Sequence, residues 1–449
     1  MPKLIVSNQR TDEMIGDLGT LPPEYRRYVA GQAQRMVWLA EPGDVFVLPV
    51  ELDEEFLSYV ARLKGIDRAS WTVVVPPVGR LGEDVLSRDR LEDAEFITRL
   101  RSAVRAHDVR TILPFHFDRV SVRLARALGL DEQTPGFAFA AQSGTSMLNS
   151  KAAFRALAVG HGIPVPHGTV TDDRGEAEEF VWQALDAGQP VIIKQDFHVG
   201  GIGNEIVSPI PGIRPIGATG TEVITDRAAL AAHLDRRWTH YTGPHRGRVV
   251  LEHYTPESPA IYSELLVTDD GVRLVGHGEM RMKPVINGLI VPAPSERLAA
   301  FAAFLDDSRR LSETLRRMGY RGSLSVDAIV TPEDQVLVNE INGRVVGSAH
   351  IHRIGEELVG EDYTSSRVLI EKRRVAFPDF RTTLDKLVAA GLAYDRSSRT
   401  GVVVTVHDNA RTGGFGGSCL IARDDVAARA LEEEVDALFG AQVPDDDQE

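Results

Sequence analysis

One cysteine, Cys419, stands in the 449 residues, so no disulfide can close within the chain and a zinc site built on several thiolates is excluded. Such thiol usage suits a reducing compartment, and the cytoplasm is the expected location. Positive charge is also in deficit: 50 Lys and Arg stand against 65 Asp and Glu, a formal net charge of -15. The summed field repels polyanions, which argues against nucleic acid and anionic membrane as partners, so any phosphate ligand needs a local basic pocket. No apolar run reaches the roughly 18 residues of a membrane span, and the opening MPKLIVSNQRTDE has too short an apolar run for a secretion signal. No repeat of fixed period and no low-complexity block occurs, which argues against solenoids and propellers.

What is present reads as a large enzyme. The hydrophobic fraction of 43% and the charged fraction of 26% are those of an ordinary globular protein, and the length predicts about two to four domains. Short apolar runs at Leu4 to Ser7, Asp44 to Val50, Trp71 to Pro77 and Thr111 to Phe115 alternate with helix-like stretches such as EEFLSYVARLKG. That pattern predicts a parallel sheet with crossover helices, an α/β domain over residues 1–140.

The character changes at NSKAAFRALAVGHGIPVP, a helix that Asn149 or Ser150 can cap and that Gly162 and Pro164 close. From 141 to 375, runs such as PVIIKQ, GRVVLEHY, AIYSELLV and QVLVNEIN alternate in period two between turn-rich segments, which predicts antiparallel sheets. We divide this α+β part at 250/251, with a lid-bearing unit first and a metal and nucleotide unit second. Residues 376–449 form a C-terminal extension with the strand GVVVTVHDN, the glycine-rich TGGFGGSC, an acidic helix, and a closing PDDDQE expected to be disordered.

The sharpest signal is GSLSVDAIVTPEDQVLVNEINGR, two alternating strands around a turn at Pro332, Glu333 and Asp334. A loop symmetric about that turn sets Asp327 opposite Glu340, and period two puts Asn342 on the same face. Opposed carboxylates sit with Cβ atoms roughly 5 Å apart and repel each other unless a cation lies between them. Hard oxygen ligands without His or Cys on these strands suit Mg²⁺. The bland alternative is a solvent-facing acidic row on an edge hairpin. Arg344, at the same parity, adds a guanidinium fork for a carboxylate or a transferring phosphoryl group.

VIIKQDFHVGGIGNEIV places Lys194 at the end of an apolar strand, where a charge is costly without a partner, and follows it with Gly200, Gly201 and Gly203, a loop whose backbone can approach phosphate oxygens. No GK[ST] follows and the loop leads to a strand, so neither a Walker A loop nor a dinucleotide fingerprint is present. Lys151 opens the capped helix. The strand ending in Glu252, His253 and Tyr254 runs into a Pro-bounded linker that can offer backbone groups to an adenine edge.

Taken in order, Lys151, Lys194, the HVGGIGN loop, LEHY, Asp327 and the triplet Glu340, Asn342 and Arg344 resemble the ATP-grasp signature over roughly residues 140 to 375. The N-terminal unit resembles the pre-ATP-grasp domain, and the whole chain is similar to the peptide ligase family of pheganomycin biosynthesis. The resemblance implies that Lys151 and Lys194 hold phosphates and that the loop from Gly200 to Gly203, with His198, covers them. Glu252, His253 and Tyr254 would meet adenine, and Glu257 the ribose. Asp327, Glu340 and Asn342 would bind one or two Mg²⁺ ions, and Arg344 would act at the reacting group. His198 and Asn204 depart from the commonest spelling of the loop.

The implied activity is that of an ATP-dependent carboxylate-amine ligase working through an acyl phosphate, with a small-molecule carboxylate donor and a peptide amine acceptor in natural-product biosynthesis; a homodimer is an open option. HGEMRMK puts Arg281 and Lys283 at one parity, Arg281 as oxyanion partner and Lys283 as support. His277, His350 or His352 is the candidate for taking the amine proton; a zinc pair at His350 and His352 lacks a third ligand. TGGFGGSC is either a second loop over the substrate or a hairpin connection. The alternatives are another ATP-grasp activity, such as a carboxylase or a nucleotide-biosynthesis ligase, or a non-catalytic nucleotide-binding regulator. No biotinyl or carrier attachment segment is evident, and every metal and phosphate residue is present, which favours catalysis.

Overall fold

The computed structural model describes residues 1–198, 200–243, 247–407 and 415–440. The first four strands, β1 (Lys3–Val6), β2 (Val45–Val47), β3 (Thr72–Val74) and β4 (Thr111–Pro114), form a parallel sheet in the order β3-β2-β1-β4. These are the four apolar runs of the sequence. The two central strands, β1 and β2, are buried on both faces: Leu4 and Val6 pack with Phe96 and Leu100 of the helix Ala94–Ala106, while Ile5 enters the opposite core. The helices start where short acids cap them, Asp53 accepting from the Glu55 amide and Asp93 from the Phe96 amide.

A five-stranded sheet follows, made of β5 (Gly168–Thr171), β6 (Val191–Gln195), β7 (Asn204–Ser208), β8 (Thr221–Val223) and β9 (Val249–His253) in the order β5-β9-β6-β7-β8. All its pairings are antiparallel except β7 with β8. The helices Arg174–Asp186 and Arg227–Thr242 cover one face, where Val191, Ile193, Val249 and Leu251 are buried. Ile192, Ile206 and Tyr254 pack on the other face. The helix Lys151–Gly160 is capped by Ser150, whose hydroxyl accepts from the Ala153 amide at 3.0 Å.

The remaining strands make one antiparallel sheet: β10 (Ala260–Val267), β11 (Val272–Met282), β12 (Ile286–Val291), β13 (Gly322–Val330), β14 (Val336–Asn342), β15 (Val368–Ala376), β16 (Gly401–His407) and β17 (Phe415–Ala422), ordered β14-β13-β10-β11-β12-β15-β17-β16. The strands after residue 376 are therefore inner and edge members of the same sheet as the β13–β14 hairpin. The division set at 250/251 falls within β9 and that at 375/376 within β15. Of TGGFGGSC, Phe415 to Cys419 lie in β17, while 412–414, like the acidic tail 441–449, lie outside the described residues.

The parallel domain and this large sheet share a core. Ile5, Trp38 and Phe46 pack in one cluster with Ile370, Val403 and Leu420. Trp38 is fully buried and its indole N–H donates to the Thr405 carbonyl at 3.1 Å. An indole removes roughly 200 Å² from water, worth about 5 kcal/mol, so this one residue binds the two units firmly. No helix among the described residues is long and apolar enough to cross a membrane.

Candidate active site

The three sheets converge on a cleft of about 260 Å³. The large sheet forms its floor, and a row of residues crosses the strands in register: Glu340 on β14, Asp327 on β13, Tyr262 on β10 and Gly278 on β11. Glycine is required at the last of these, because a Cβ there would lie 2.7 Å from the Tyr262 ring.

Asp327 faces Glu340 across the hairpin, as expected, but through a β-bulge: the strands pair symmetrically about Glu333 as far as Ala328 and Val338, and the extra residue Asn339 then shifts the register, so that Ser325 faces Asn342. The Asn342 amide donates to Asp327 Oδ2 at 2.9 Å and the Ser325 hydroxyl donates to Oδ1 at 2.9 Å, so the carboxylate is held in place on both oxygens. Burial, with Glu340 next to it, pushes the Asp327 carboxyl up to about 7. A half-buried acid opposed by a second acid is a site that gains from a cation. Among the described residues no group of three or more His, Cys, Asp or Glu gathers as a metal cluster. The donor set is thus two carboxylates and an amide oxygen, which suits a hard ion that fills its remaining positions with water and phosphate.

Two lysines face this hairpin. Lys151, 5% exposed, reaches Glu340 Oε1 at 3.4 Å and donates to the His198 carbonyl at 2.9 Å. Lys194 is held at 2.5 Å by Glu252, whose other oxygen takes Arg155 Nη1 at 2.7 Å. Two cations share one carboxylate there, leaving net positive charge beside the cleft. Gly200 and Gly201 line the roof in left-handed backbone. A Cβ on Gly201 would come within 2.9 Å of the Gly217 carbonyl, so the glycine loop closes against a second loop that the Tyr254 hydroxyl pins through Arg214 and Ile216.

Arg344 is half-buried, lies 5.6 Å over the Phe115 ring, and donates from Nη2 to Asn342 Oδ1 at 2.6 Å. Burial pulls it down to about 10, so it stays charged at neutral pH, and its Nε finds no partner among the described residues.

Several sequence expectations need correcting. Arg281 is not in the cleft. Met280 and Met282 line it, so alternation turns Arg281 to the other face, where it pairs with Glu432 of the helix Asp425–Phe439 at 2.5 Å, beside Lys372. Lys283 lies past the end of β11, exposed, after a register shift at Arg281/Met282 that breaks the shared parity. Glu257 is exposed and outside the lining, while Ser258 beside it is buried and faces in. Gly203 and His198 are also outside it, the His198 side chain packing against Gly203. Glu252 lines the cleft but its carboxylate is taken by Lys194 and Arg155, and the His253 and Tyr254 amides already donate to the carbonyls of His167 and Pro190, each at 2.8 Å.

The three histidines are packed away from the cleft. His277 meets the Phe301 ring edge to face with centroids 4.9 Å apart, and burial lowers it to about 4. His350, lowered by burial to about 4, lies 3.4 Å from Glu371. His352 sits between the hydroxyls of Tyr262 and Tyr363 at 3.0 and 2.6 Å. Only Tyr262 of this group faces the cleft.

The parallel domain supplies residues that pattern reading missed. Gln9 and Arg10 follow β1, Phe115 follows β4, and Arg35 comes from the 3₁₀ segment Ala33–Leu39; all line the cleft. The carboxyl ends of parallel strands are where such sheets bind ligands, so the polar SNQR directly after the apolar LIVS was the available signal.

Because Arg281 lies on the back face, Arg281→Ala is expected to keep turnover within about twofold of the parent. Its partly exposed ion pair contributes about 0.5–1 kcal/mol, seen as a small fall in melting temperature. Steady-state rates and thermal unfolding check both halves.

A family model described as Pre ATP-grasp domain matches residues 33–130, and one described as PGM1 C-terminal domain matches residues 383–435. Over 97% of this chain and 91% of the other, the structure superposes on a Campylobacter jejuni biotin carboxylase solved as a beta-gamma-ATP complex, at a TM-score of 0.59 and 13% identity. The chain has the ATP-grasp fold.

A second ATP-grasp structure, the biotin carboxylase domain of Hydrogenobacter thermophilus 2-oxoglutarate carboxylase with MgADP and bicarbonate, covers 96% of this chain and 88% of its own at a TM-score of 0.56 and 15% identity. Among curated proteins, the L-propargylglycine--L-glutamate ligase of Streptantibioticus cattleyicolor is 28% identical over 384 residues, 79% of this chain and 75% of that one. The butirosin acyl-carrier protein--L-glutamate ligase of Niallia circulans is 23% identical over 376 residues, 81% and 77% of the two chains. The ATP-grasp resemblance read from the sequence therefore holds, with ligases among the relatives and nucleotide in the fold neighbours.

Proposed function

We propose that the protein joins a carboxylic acid to an amine at the expense of ATP, through an acyl phosphate, releasing ADP and phosphate. The observation that carries this is one cleft in which Asp327, Glu340 and Asn342 face Lys151 and Lys194 with Arg344 beside them. Ile192 and Ile329 line the cleft and would take the base between them, while Gly200 and Gly201 would cover the phosphates. Lys151 and Lys194 take phosphate charge. Asp327, Glu340 and Asn342 would hold magnesium, one ion or two, which would neutralise and orient phosphate oxygens when bound.

Phosphoryl transfer asks for positioning and charge neutralisation more than for covalent help. A carboxylate oxygen attacks the terminal phosphorus and the bond to ADP breaks. The Arg344 fork orients the acid beside the hairpin and stabilises oxygen charge during transfer. The amine, having lost a proton, then attacks the acyl carbon, and phosphate departs with one of the acid's original oxygens.

Both curated relatives carry L-glutamate in their names, and one joins it to L-propargylglycine, which supports an amino-acid-like donor here. A peptide acceptor in natural-product biosynthesis is the reading of the acceptor side. The test is to screen carboxylic acids and amines for ADP release that needs both, with mass spectrometry of the products. A condensed product lighter than its two substrates by one water is expected. ADP release indifferent to every amine contradicts the ligase reading.

A further inference from the structure

Beyond Arg344, the cleft holds a row of guanidinium groups that the nucleotide does not account for. Arg10 is fixed by the Tyr25 hydroxyl at 2.8 Å and the Gln9 carbonyl at 2.8 Å. Arg35 reaches Glu371 at 3.3 Å, and Arg373 reaches the same carboxylate at 2.8 Å. One acid thus serves two arginines, while among the described residues neither Arg10 nor Arg344 is in an ion pair. Arg35 feels Arg373 and Arg10, and Arg344 feels Arg10, so the groups form a connected chain of like charge.

Donors in this corner are also unpaired. Gln9 Nε2, Arg35 Nε and Arg344 Nε are buried with no hydrogen-bond partner among the described residues, and Gln9 is 5% exposed. Buried donors and charge without partners are costly, and an anion in their midst removes that cost. Gly347 leaves room for one: even a Cβ there would stand only 3.6 Å from Arg373 Nη2 and 3.9 Å from Arg35 Nη1.

A phosphoryl group held at the hairpin does not satisfy this corner. Arg373 is on β15 and Asp327 on β13, four strand spacings apart in the sheet, roughly 19 Å. The terminal phosphate and the reacting carboxylate belong beside Arg344, at the hairpin end of the row. The arginines at the other end need a different anion.

We infer that Gln9, Arg10 and Arg35, backed by Arg373, form a pocket for a second, non-reacting carboxylate, so that the acid taken by this cleft is a dicarboxylate. The inference rests on the ligase reading for the identity of the reacting end. Guanidinium forks fit planar carboxylates with paired hydrogen bonds, and burial makes each bond strong. Replacing the second carboxylate by its neutral amide leaves those donors facing another donor, so discrimination against the amide is expected to be large.

The test is calorimetric titration of the full chain loaded with MgADP, using acid and amide pairs of increasing reach: L-aspartate and L-asparagine, L-glutamate and L-glutamine, suberate and its monoamide. At least one diacid is expected to bind tenfold or more tightly than its amide. In Arg10→Gln and Arg35→Gln that ratio is expected to fall below about threefold, with Arg35→Lys between. Arg10 is partly exposed, so Arg10→Gln decides the matter should Arg35→Gln fail to fold. No pair separated by more than twofold in the parent, a ratio that survives in Arg10→Gln, or variants that weaken MgADP in place of the diacid would each overturn the inference. Acid-dependent and amine-dependent ADP release is read in parallel. A diacid that binds selectively yet never supports ADP release leaves the pocket standing and removes the ligase reading; release without discrimination does the reverse.

Discussion

Glu340→Gln is expected to lower turnover by at least about 100-fold while leaving the fold intact. The carboxylate lies opposite Asp327, and among the described residues its ion pair is with Lys151 at 3.4 Å, so little of the native structure hangs on it. On the proposed function, its loss would cost the site a charged oxygen donor for magnesium. Metal stabilisation of a transferring phosphoryl group is worth several kcal/mol, and about 3 kcal/mol corresponds to roughly 100-fold in rate. The amide also relieves the repulsion on Asp327, whose carboxyl burial and Glu340 together push up to about 7, so the metal-free variant is expected to melt no lower than the parent. Rates at saturating Mg²⁺ and thermal unfolding in a chelator give the two readouts. Parent-like turnover would remove Glu340 from the metal set.

The second large effect is expected at Arg344. Arg344→Lys keeps a cation but loses the planar fork, its stacking on Phe115 and the Nη2 bond to Asn342. A lysine ammonium also stops short of where the guanidinium terminates, so the charge no longer reaches the reacting group. Turnover is expected to fall about 100-fold, with the KM for ATP shifted by less than about threefold, because the proposed function assigns the nucleotide mainly to Lys151, Lys194 and the glycine loop. Should the KM for ATP rise while turnover stays near the parent, Arg344 binds nucleotide and has no part in transfer.

Much of this site was legible because the hairpin is plain in the alternation of its strands. Period two puts Glu340 and Asn342 on one face, and the pairing of Asp327 with Glu340 is observed; its register, however, comes from a β-bulge at Asn339 and not from a symmetric turn, which would have set Asp327 opposite Asn339. The two central parallel strands were legible because strands covered on both faces are apolar throughout. Arg281 was misplaced because parity says which residues share a face and nothing of which face fronts the ligand. Both faces of β11 are occupied there, Met280 and Met282 toward the cleft and Arg281 toward Glu432. Glu257 failed for a similar reason: in an irregular linker no period tells it from Ser258.

The arginine corner was not read from the sequence as one site. Arg10 follows β1, Arg35 lies in a 3₁₀ segment and Arg373 in β15, and only the closure of the parallel domain onto the large sheet brings them together. Nor does local sequence tell that β16 and β17 extend the sheet bearing the hairpin, since strand order is set by packing at long range. Buried arginines of this kind do leave a trace, an isolated charge within an otherwise apolar stretch, as Arg35 in QRMVWLA.

The most direct measurement follows the oxygen atoms. With a donor acid labelled by ¹⁸O in both carboxylate oxygens, and ATP and an amine acceptor in ordinary water, mass spectrometry of the released phosphate reads where the carboxylate oxygen goes. One ¹⁸O atom in each phosphate, matched to ADP and to a singly labelled amide product, is the predicted result. Unlabelled phosphate accompanying stoichiometric ADP would mean that the acid never accepted the phosphoryl group, and would contradict the mechanism.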